Sequence, residues 1–309
     1  DSLNALGALV SDRGDKALAM TYHRRALGIV TSEAQRDALA EAATLQLLGV
    51  MQFDLGDSEA ALASLERACA LRRRLQGEVS METADCLLAQ ASVAVQGADA
   101  ATAEQLALES VRIFERLRPD GHPDVADAWV AVARARLEQG EYERAGEPLA
   151  AALEVRQRTL PAGHLKISEA LSDLAAWHNK AGTPEQAEPL LRQSLGIIRA
   201  HSAEDNERSA LMYYSLGTSL KLQGRPGEAE SALRRSVEIL RRIHPEGRQL
   251  LHPLGALAEL CIAQGRAVEA QALAAEALAQ ARAALPAGHR LVVEKEAVLA
   301  RARALESSG

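Results

Sequence analysis

The chain has 309 residues, a formal net charge of −7 and only 3% aromatic residues. Thirty-five Lys and Arg against 42 Asp and Glu leave no excess of cations for neutralising phosphates, which argues against nucleic acid as a partner. No apolar run approaches the ~18 residues of a membrane span, and no basic-then-apolar leader opens the chain.

The predicted elements recur along the chain. A turn position is occupied in order by Gly14, Gly56, Ala98, Gly140, Gly182, Gly224 and Gly265, each 42 residues after the last except for a final step of 41. Five places after it stand Ala19, Ala61, Ala103, Ala145, Ala187, Ala229 and Ala270. Twelve places after it come Ala26, Ala68, Ser110, Ala152, Ser194, Ser236 and Ala277. Seven before it are Gly7, Gly49, Ala91, Ala133, Ala175, Gly217 and Ala258, and eleven before it a large residue: Leu3, Leu45, Leu87, Trp129, Leu171, Tyr213 and Leu254. A small residue at a helix crossing lets two backbones approach, while apolar rows at i, i+3 and i+4 fill the groove around it. Each unit is therefore predicted to be a helix A, a turn and a helix B, and the fixed period predicts a solenoid.

In chain order the units span about 1–34, 35–77, 78–119, 120–161, 162–203, 204–245 and 246–286, read as one continuous array over 1–309. Helix B is stopped by a proline at Pro119, Pro161, Pro245 and Pro286, where the ring removes a donor and disfavours helix before it; Gln35, Gly77 and Ala203 hold that place in the other units. Three residues on, Ser80, His122, His164, Asn206, Arg248 and His289 stand at the next helix entry, where most can cap free N–H groups. A capping helix over 288–305 has Glu296 where a large apolar residue is expected and reads as a solvating end. At the other end Leu3, Leu6 and Val10 are in register on an incomplete first unit, and the first residue is Asp, which together predict a fragment of a longer protein with an uncovered face open to self-association.

These columns resemble tetratricopeptide repeats, and their length is similar to that of the kinesin light chain class. The segment "HPDVADAWVAVARARLEQGEYERAGEPLAAALEVRQRTLPAGH" carries the class's His-Pro entry, Gly turn and later Ala column, and the resemblance covers essentially the whole chain. It implies an all-α, right-handed superhelical solenoid of about seven helix-turn-helix pairs plus the capping helix. It also implies that helices A line a concave groove and helices B form the outer face. The paired Asn of kinesin light chain units is replaced here by Gln46-Leu47, Leu88-Ala89, Val130-Ala131 and Ser172-Asp173, and the Lys and Asn set of chaperone-tail clamps is missing, so cargo identity does not carry over.

Catalytic and cofactor motifs are absent from the sequence: there is no zinc pair, phosphate loop, nucleophile elbow or calcium loop. His122, His164 and His289 recur at one repeat position instead of converging, so they read as structural. His178, beside Trp177, reads as a partly exposed polar residue. Cys69, Cys86 and Cys261 lack C-x-x-C spacing, and buried free thiols in a reducing compartment are expected, consistent with a cytoplasmic location. The runs Arg72–Arg74, Arg234-Arg235 and Arg241-Arg242 fall on helices B and read as a solvated outer face, with a docking strip for an acidic partner as the alternative. Arg outnumbers Lys heavily, a bias that fits a bacterial gene.

The resemblance makes the groove the working surface. Thirteen before the turn stand Asp1, Ala43, Asp85, Asp127, Glu169, Leu211 and His252, giving an acidic stripe at Asp85, Asp127 and Glu169 that either contacts a basic segment or offsets the helix dipole. Arg134, Asn179, Lys180, Tyr214, Thr218 and Lys221 occupy other inner positions, and Tyr214 with Leu211 supplies apolar contact. The expected function is a non-catalytic scaffold, without cofactor or metal, that holds a protein or peptide segment in the groove. The alternative is a sensor module of a signalling protein with an upstream Ser/Thr kinase or STAND-type ATPase.

Overall fold

A computed structural model of the chain describes residues 2–32, 37–97, 99–119, 121–202, 205–245, 247–286 and 288–307. Asp1, Gln35, Ala98 and Ala203, used above in the repeat columns, lie outside the described residues. The described residues are helical with short connections, contain no strand, and include no helix long and apolar enough to cross a membrane. They fall into two compact units, Asp1–Leu160 and Pro161–Gly309.

The first unit contains α1 (Ser2–Asp12), α2 (Lys16–Val30), α3 (Ala38–Asp54), α4 (Ser58–Gln76), α5 (Met81–Gln96), α6 (Ala100–Leu117), α7 (Pro123–Glu138) and α8 (Gly146–Thr159), the last preceded by a 3-10 turn at Tyr142–Ala145. The second contains α9 (Leu165–Lys180), α10 (Pro184–His201), α11 (Glu207–Leu222), α12 (Pro226–Ile243), a 3-10 turn at Arg248–Leu250, α13 (Leu251–Ala263), α14 (Ala267–Ala284) and α15 (Arg290–Ser307). Odd-numbered helices through α13 are the helices A, and each packs against the helix B that follows it.

The lattice read from the sequence is the core of both units. All seven Ala residues five places after the turn are fully buried. The described turn positions are glycines in the left-handed region, such as Gly14 at φ 91° and Gly182 at φ 77°, where a Cβ would meet no neighbour, so backbone conformation alone selects glycine. Twelve places after the turn the serines are buried because each has an acceptor in the partnering helix A: Ser110 donates to Ala84 O at 2.9 Å, Ser194 to Ser168 O at 3.1 Å and Ser236 to Ala210 O at 2.7 Å.

Helix ends follow the expected chemistry. α6, α8, α12 and α14 stop two residues before Pro119, Pro161, Pro245 and Pro286. Ser80 and Asn206 accept from backbone N–H groups at the starts of α5 and α11, and the Nδ1 atoms of His122, His164 and His289 do so at α7, α9 and α15, which accounts for the recurring imidazoles. Arg248 does not cap. Pro253 follows in the first turn of α13, and its ring opposes extension of that helix backward past Leu250. The result is a 13-residue helix A where α5, α7, α9 and α11 each have 16.

Two expectations are corrected. Cys69 and Cys86 are joined in a disulfide between α4 and α5, and Cys261 alone is a buried free thiol. The Cys69 column is apolar in neighbouring repeats, with Leu27 and Val111, and adjacency across the α4–α5 joint, 17 residues apart, brings its sulfur to that of Cys86. The arginine runs are solvent-exposed at Arg74, Arg234, Arg241 and Arg242, as expected, but ion pairs within the chain already engage several of them, which argues against an open docking strip. Arg73 pairs with Glu109 at 2.8 Å, Arg234 with Glu230 and Glu269, Arg235 with Asp205 and Glu238, and Arg241 with Glu276 at 2.5 Å. Residues about 35 apart are brought together by stacking, so one repeat's arginines meet the next repeat's acids.

Candidate functional site

The positions thirteen, ten, nine and six before the turn lie three or four residues apart and share one face of helix A. In the first unit this face of α5 and α7 encloses a recess of about 260 Å³ lined by Leu88, Ser92, Gln96, Asp127, Val130, Arg134 and Arg156. Arg156 comes from α8, is 5% exposed, and donates from Nη2 to Asp127 Oδ1 at 2.7 Å. Arg134 is exposed at the rim, and among the described residues no ion pair involves it. Asp85, half-buried one repeat earlier, has its carboxyl pKa pushed up by burial and then by the charges of Asp124 and Glu82, against smaller opposing effects of His122 and Arg72.

In the second unit a larger pocket, about 790 Å³, opens beside the N-terminal ends of α11 and α13. Its walls are Leu165, Ile198, Leu211, Tyr214, Leu240 and Pro253, with His201, Ser202, Asn206, Glu207, Arg208, Ser236, Gln249 and His252 completing the lining. Leu211, 54% exposed, stands in the column that holds carboxylates in the three repeats directly before it. The Tyr214 and His252 rings lie 6.2 Å apart at a 40° tilt. Burial pushes the Tyr214 hydroxyl pKa up, and burial followed by the Lys295 charge pushes His252 down, so both rings stay uncharged near neutrality. The charged rim groups have partners within the unit: Arg208 pairs with Glu169 at 3.3 Å, and Glu207 meets His244 at 3.3 Å.

The ten residues singled out from the sequence are thus brought together only in part. Asp127 and Arg134 share the first recess, and Leu211 and Tyr214 share the second pocket. Asp85 lines neither, and Glu169 reaches the pocket only through Arg208. Thr218 donates to Tyr214 O at 3.0 Å, and Lys221 pairs with Glu259 at 2.7 Å. Lys180 is exposed at the end of α9, and Asn179 Oδ1 beside it is buried without a hydrogen-bond partner. Sequence reasoning missed Arg156, which carries no signal on its own helix. It also missed the group formed by Gln249, His252 and Pro253, although Pro253 and the non-capping Arg248 both break the columns and marked the place.

Comparison with known proteins bears on the fold. A family model described as tetratricopeptide repeat matches residues 124–200 and 208–283, and a second with the same description matches 42–74. No curated protein matches the sequence. Among solved structures, BtubC (BKLC) from P. vanneervenii superposes with a TM-score of 0.66 at 16% identity over 74% of this chain and 92% of its own. Kinesin light chain TPR-like repeats assigned in P. anserina give 0.59 at 18% identity over 68% and 99%. A Rap protein complexed with competence and sporulation factor gives 0.55 at 15% identity over 89% and 78%.

Proposed function

The chain belongs to the tetratricopeptide repeat family, and from that premise we propose that it is a non-catalytic scaffold whose helix A faces hold a protein or peptide segment. The observation that carries this reading is the second-unit pocket of about 790 Å³, where Leu211, 54% exposed, and Tyr214 on the helix A face of α11 meet apolar walls. In the first unit the segment carries Lys or Arg at Asp85, where a partner cation would offset the crowding by Asp124 and Glu82; Asp127 in that unit and Glu169 in the second contribute less because Arg156 and Arg208 already meet them. Arg134, Asn179, Lys180, Thr218 and Lys221 flank the bound segment, and the repeats act as a single array.

The test is selection of a random peptide library on the immobilised chain. Captured peptides should bind at least tenfold more weakly to Arg134→Glu or Thr218→Arg on the helix A faces, and unchanged to Arg241→Ala on the outer face, with helicity intact in all three. Loss on the outer-face variant alone would sink the groove reading. A second reading, a sensor module attached to an upstream kinase or STAND-type ATPase, draws support from the likeness to the Rap protein, which was solved with a bound factor.

A further inference from the structure

The second-unit pocket lies beside a helix A whose start departs from the lattice. Each of α5, α7, α9 and α11 is 16 residues long and starts directly after a capping side chain. α13 starts after an uncapped 3-10 turn and has only 13 residues. The first turn is present but wound as the 3-10 segment Arg248–Leu250, and Gln249, His252 and Pro253 from this start line the pocket with Leu211 and Tyr214. A local break in an otherwise consistent repeat is where function is expected to override regularity.

The charge pattern narrows what fits. Arg208 is matched by Glu169, Glu207 is hydrogen-bonded by the His244 imidazole, and the lining holds only this one guanidinium and this one carboxylate. The walls are mostly aliphatic and aromatic, and the volume of about 790 Å³ lies within the roughly 300–1,000 Å³ usual for ligand pockets. A lysine or arginine entering here would lose hydration against mostly apolar walls with Glu207 at the rim as its one carboxylate, whereas an uncharged bulky group would bury area at little polar cost. Gln249 and Asn206 at the edge supply neutral hydrogen-bonding groups suited to a peptide backbone.

Resting on the groove reading, we infer that this pocket is the anchor site for one bulky, uncharged side chain, aromatic or of Leu or Met type, of the segment bound by the second unit. The occupant sits between Leu211 and Leu240 with the Tyr214–His252 ring pair along one wall. This makes specificity differ from the acidic column of the first unit: there a cation is favoured, here an apolar side chain.

The experiment titrates N-acetyl-tryptophan amide, N-acetyl-leucine amide and N-acetyl-arginine amide into the whole chain and follows Leu and Ile methyl resonances. The tryptophan and leucine amides should saturate shifts at Leu165, Ile198, Leu211 and Leu240, with the arginine amide at least tenfold weaker. Leu211→Glu at the exposed rim and Gln249→Trp across the mouth should each weaken the tryptophan amide at least tenfold, while Arg74→Ala on α4 leaves it unchanged. Arginine amide binding as tightly as the others, an absence of saturable shifts, or indifference to both rim variants would overturn the assignment. Library peptides separate this from the groove reading. Segments weakened by Arg134→Glu or Thr218→Arg but indifferent to both rim variants would leave the groove reading standing and remove the anchor. Filling of the pocket by the amides with no selected segment depending on it would likewise overturn the peptide assignment, in favour of a free apolar ligand.

Discussion

Arg156 on α8 reaches back 29 residues to donate to Asp127 Oδ1 at 2.7 Å, so the central carboxylate of the acidic column is already engaged by a buried guanidinium. Its neighbour Glu169 is held by Arg208 at 3.3 Å in an exposed pair. Asp127→Asn deprives a buried charge of its ionic partner and should cost about 1.5–3 kcal/mol, whereas Glu169→Gln should cost about 0–1 kcal/mol. Urea unfolding of the two variants checks the order. Equal costs would show that Arg156 is as well hydrated as Arg208.

Close approach at the crossing seven before the turn is matched to the residue nine after it. Gly49 and Gly217 face Leu65 and Leu233, and a Cβ on either glycine would come within 2.7 Å of the leucine Cγ. Ala91 and Ala258 in that column stand opposite Ala107 and Ala274, but Ala133 and Ala175 stand opposite Leu149 and Leu191, so the tight fit is a property of the Gly49 and Gly217 crossings themselves. Gly217→Ala should therefore cost about 1–3 kcal/mol in the native background and clearly less with Leu233→Ala already present. Additive effects in that double-mutant cycle would deny the coupling.

The column five after the turn gives a simpler contrast. Ala187 is fully buried while Ala150, ten after a turn, is exposed. Ala187→Leu should destabilise by about 1–3 kcal/mol and Ala150→Leu by less than about 0.5 kcal/mol. Thermal melts of both variants decide the matter.

Stability should fall in mild acid through His23. This ring is 1% exposed, its Nδ1 lies 3.0 Å from Asn4 Oδ1, and Asn4 in turn donates to Thr44 Oγ1 at 2.8 Å. Burial lowers its pKa below the ordinary 6.5, so the unfolded chain takes up the proton first. The stabilisation is complete above pH 6.5 and is lost as pH falls from there toward the folded-state pKa. His178 and His252 act in the same direction, so the comparison is with His23→Leu, which should lose less of its melting temperature between pH 7 and about pH 5.5 than the native chain. An identical pH dependence in the two would assign the effect elsewhere.

The disulfide predicts a thiol count. Unfolded without reductant, the chain should titrate with one thiol, that of Cys261. Reduction of Cys69–Cys86, which closes a loop with a sequence separation of 17, should lower stability by about 2–4 kcal/mol. Three reactive thiols before reduction would restore the expectation of free cysteines.

What the amino-acid order determined by itself is the set of interactions formed within one helix pair. Turn glycines, the Ala column, the Pro stops and the capping residues act over a few residues or across one crossing, so a repeating pattern records them directly. What only the tertiary structure decided is which side chains meet between helices and between successive repeats. The Arg156–Asp127 and Arg73–Glu109 contacts, the Cys69–Cys86 bridge and the pocket beside α13 all depend on how far each helix rotates and slides against its neighbour. That rotation is set by the packed volumes of many residues at once, such as Gly217 against Leu233, and a column of residue types does not contain it.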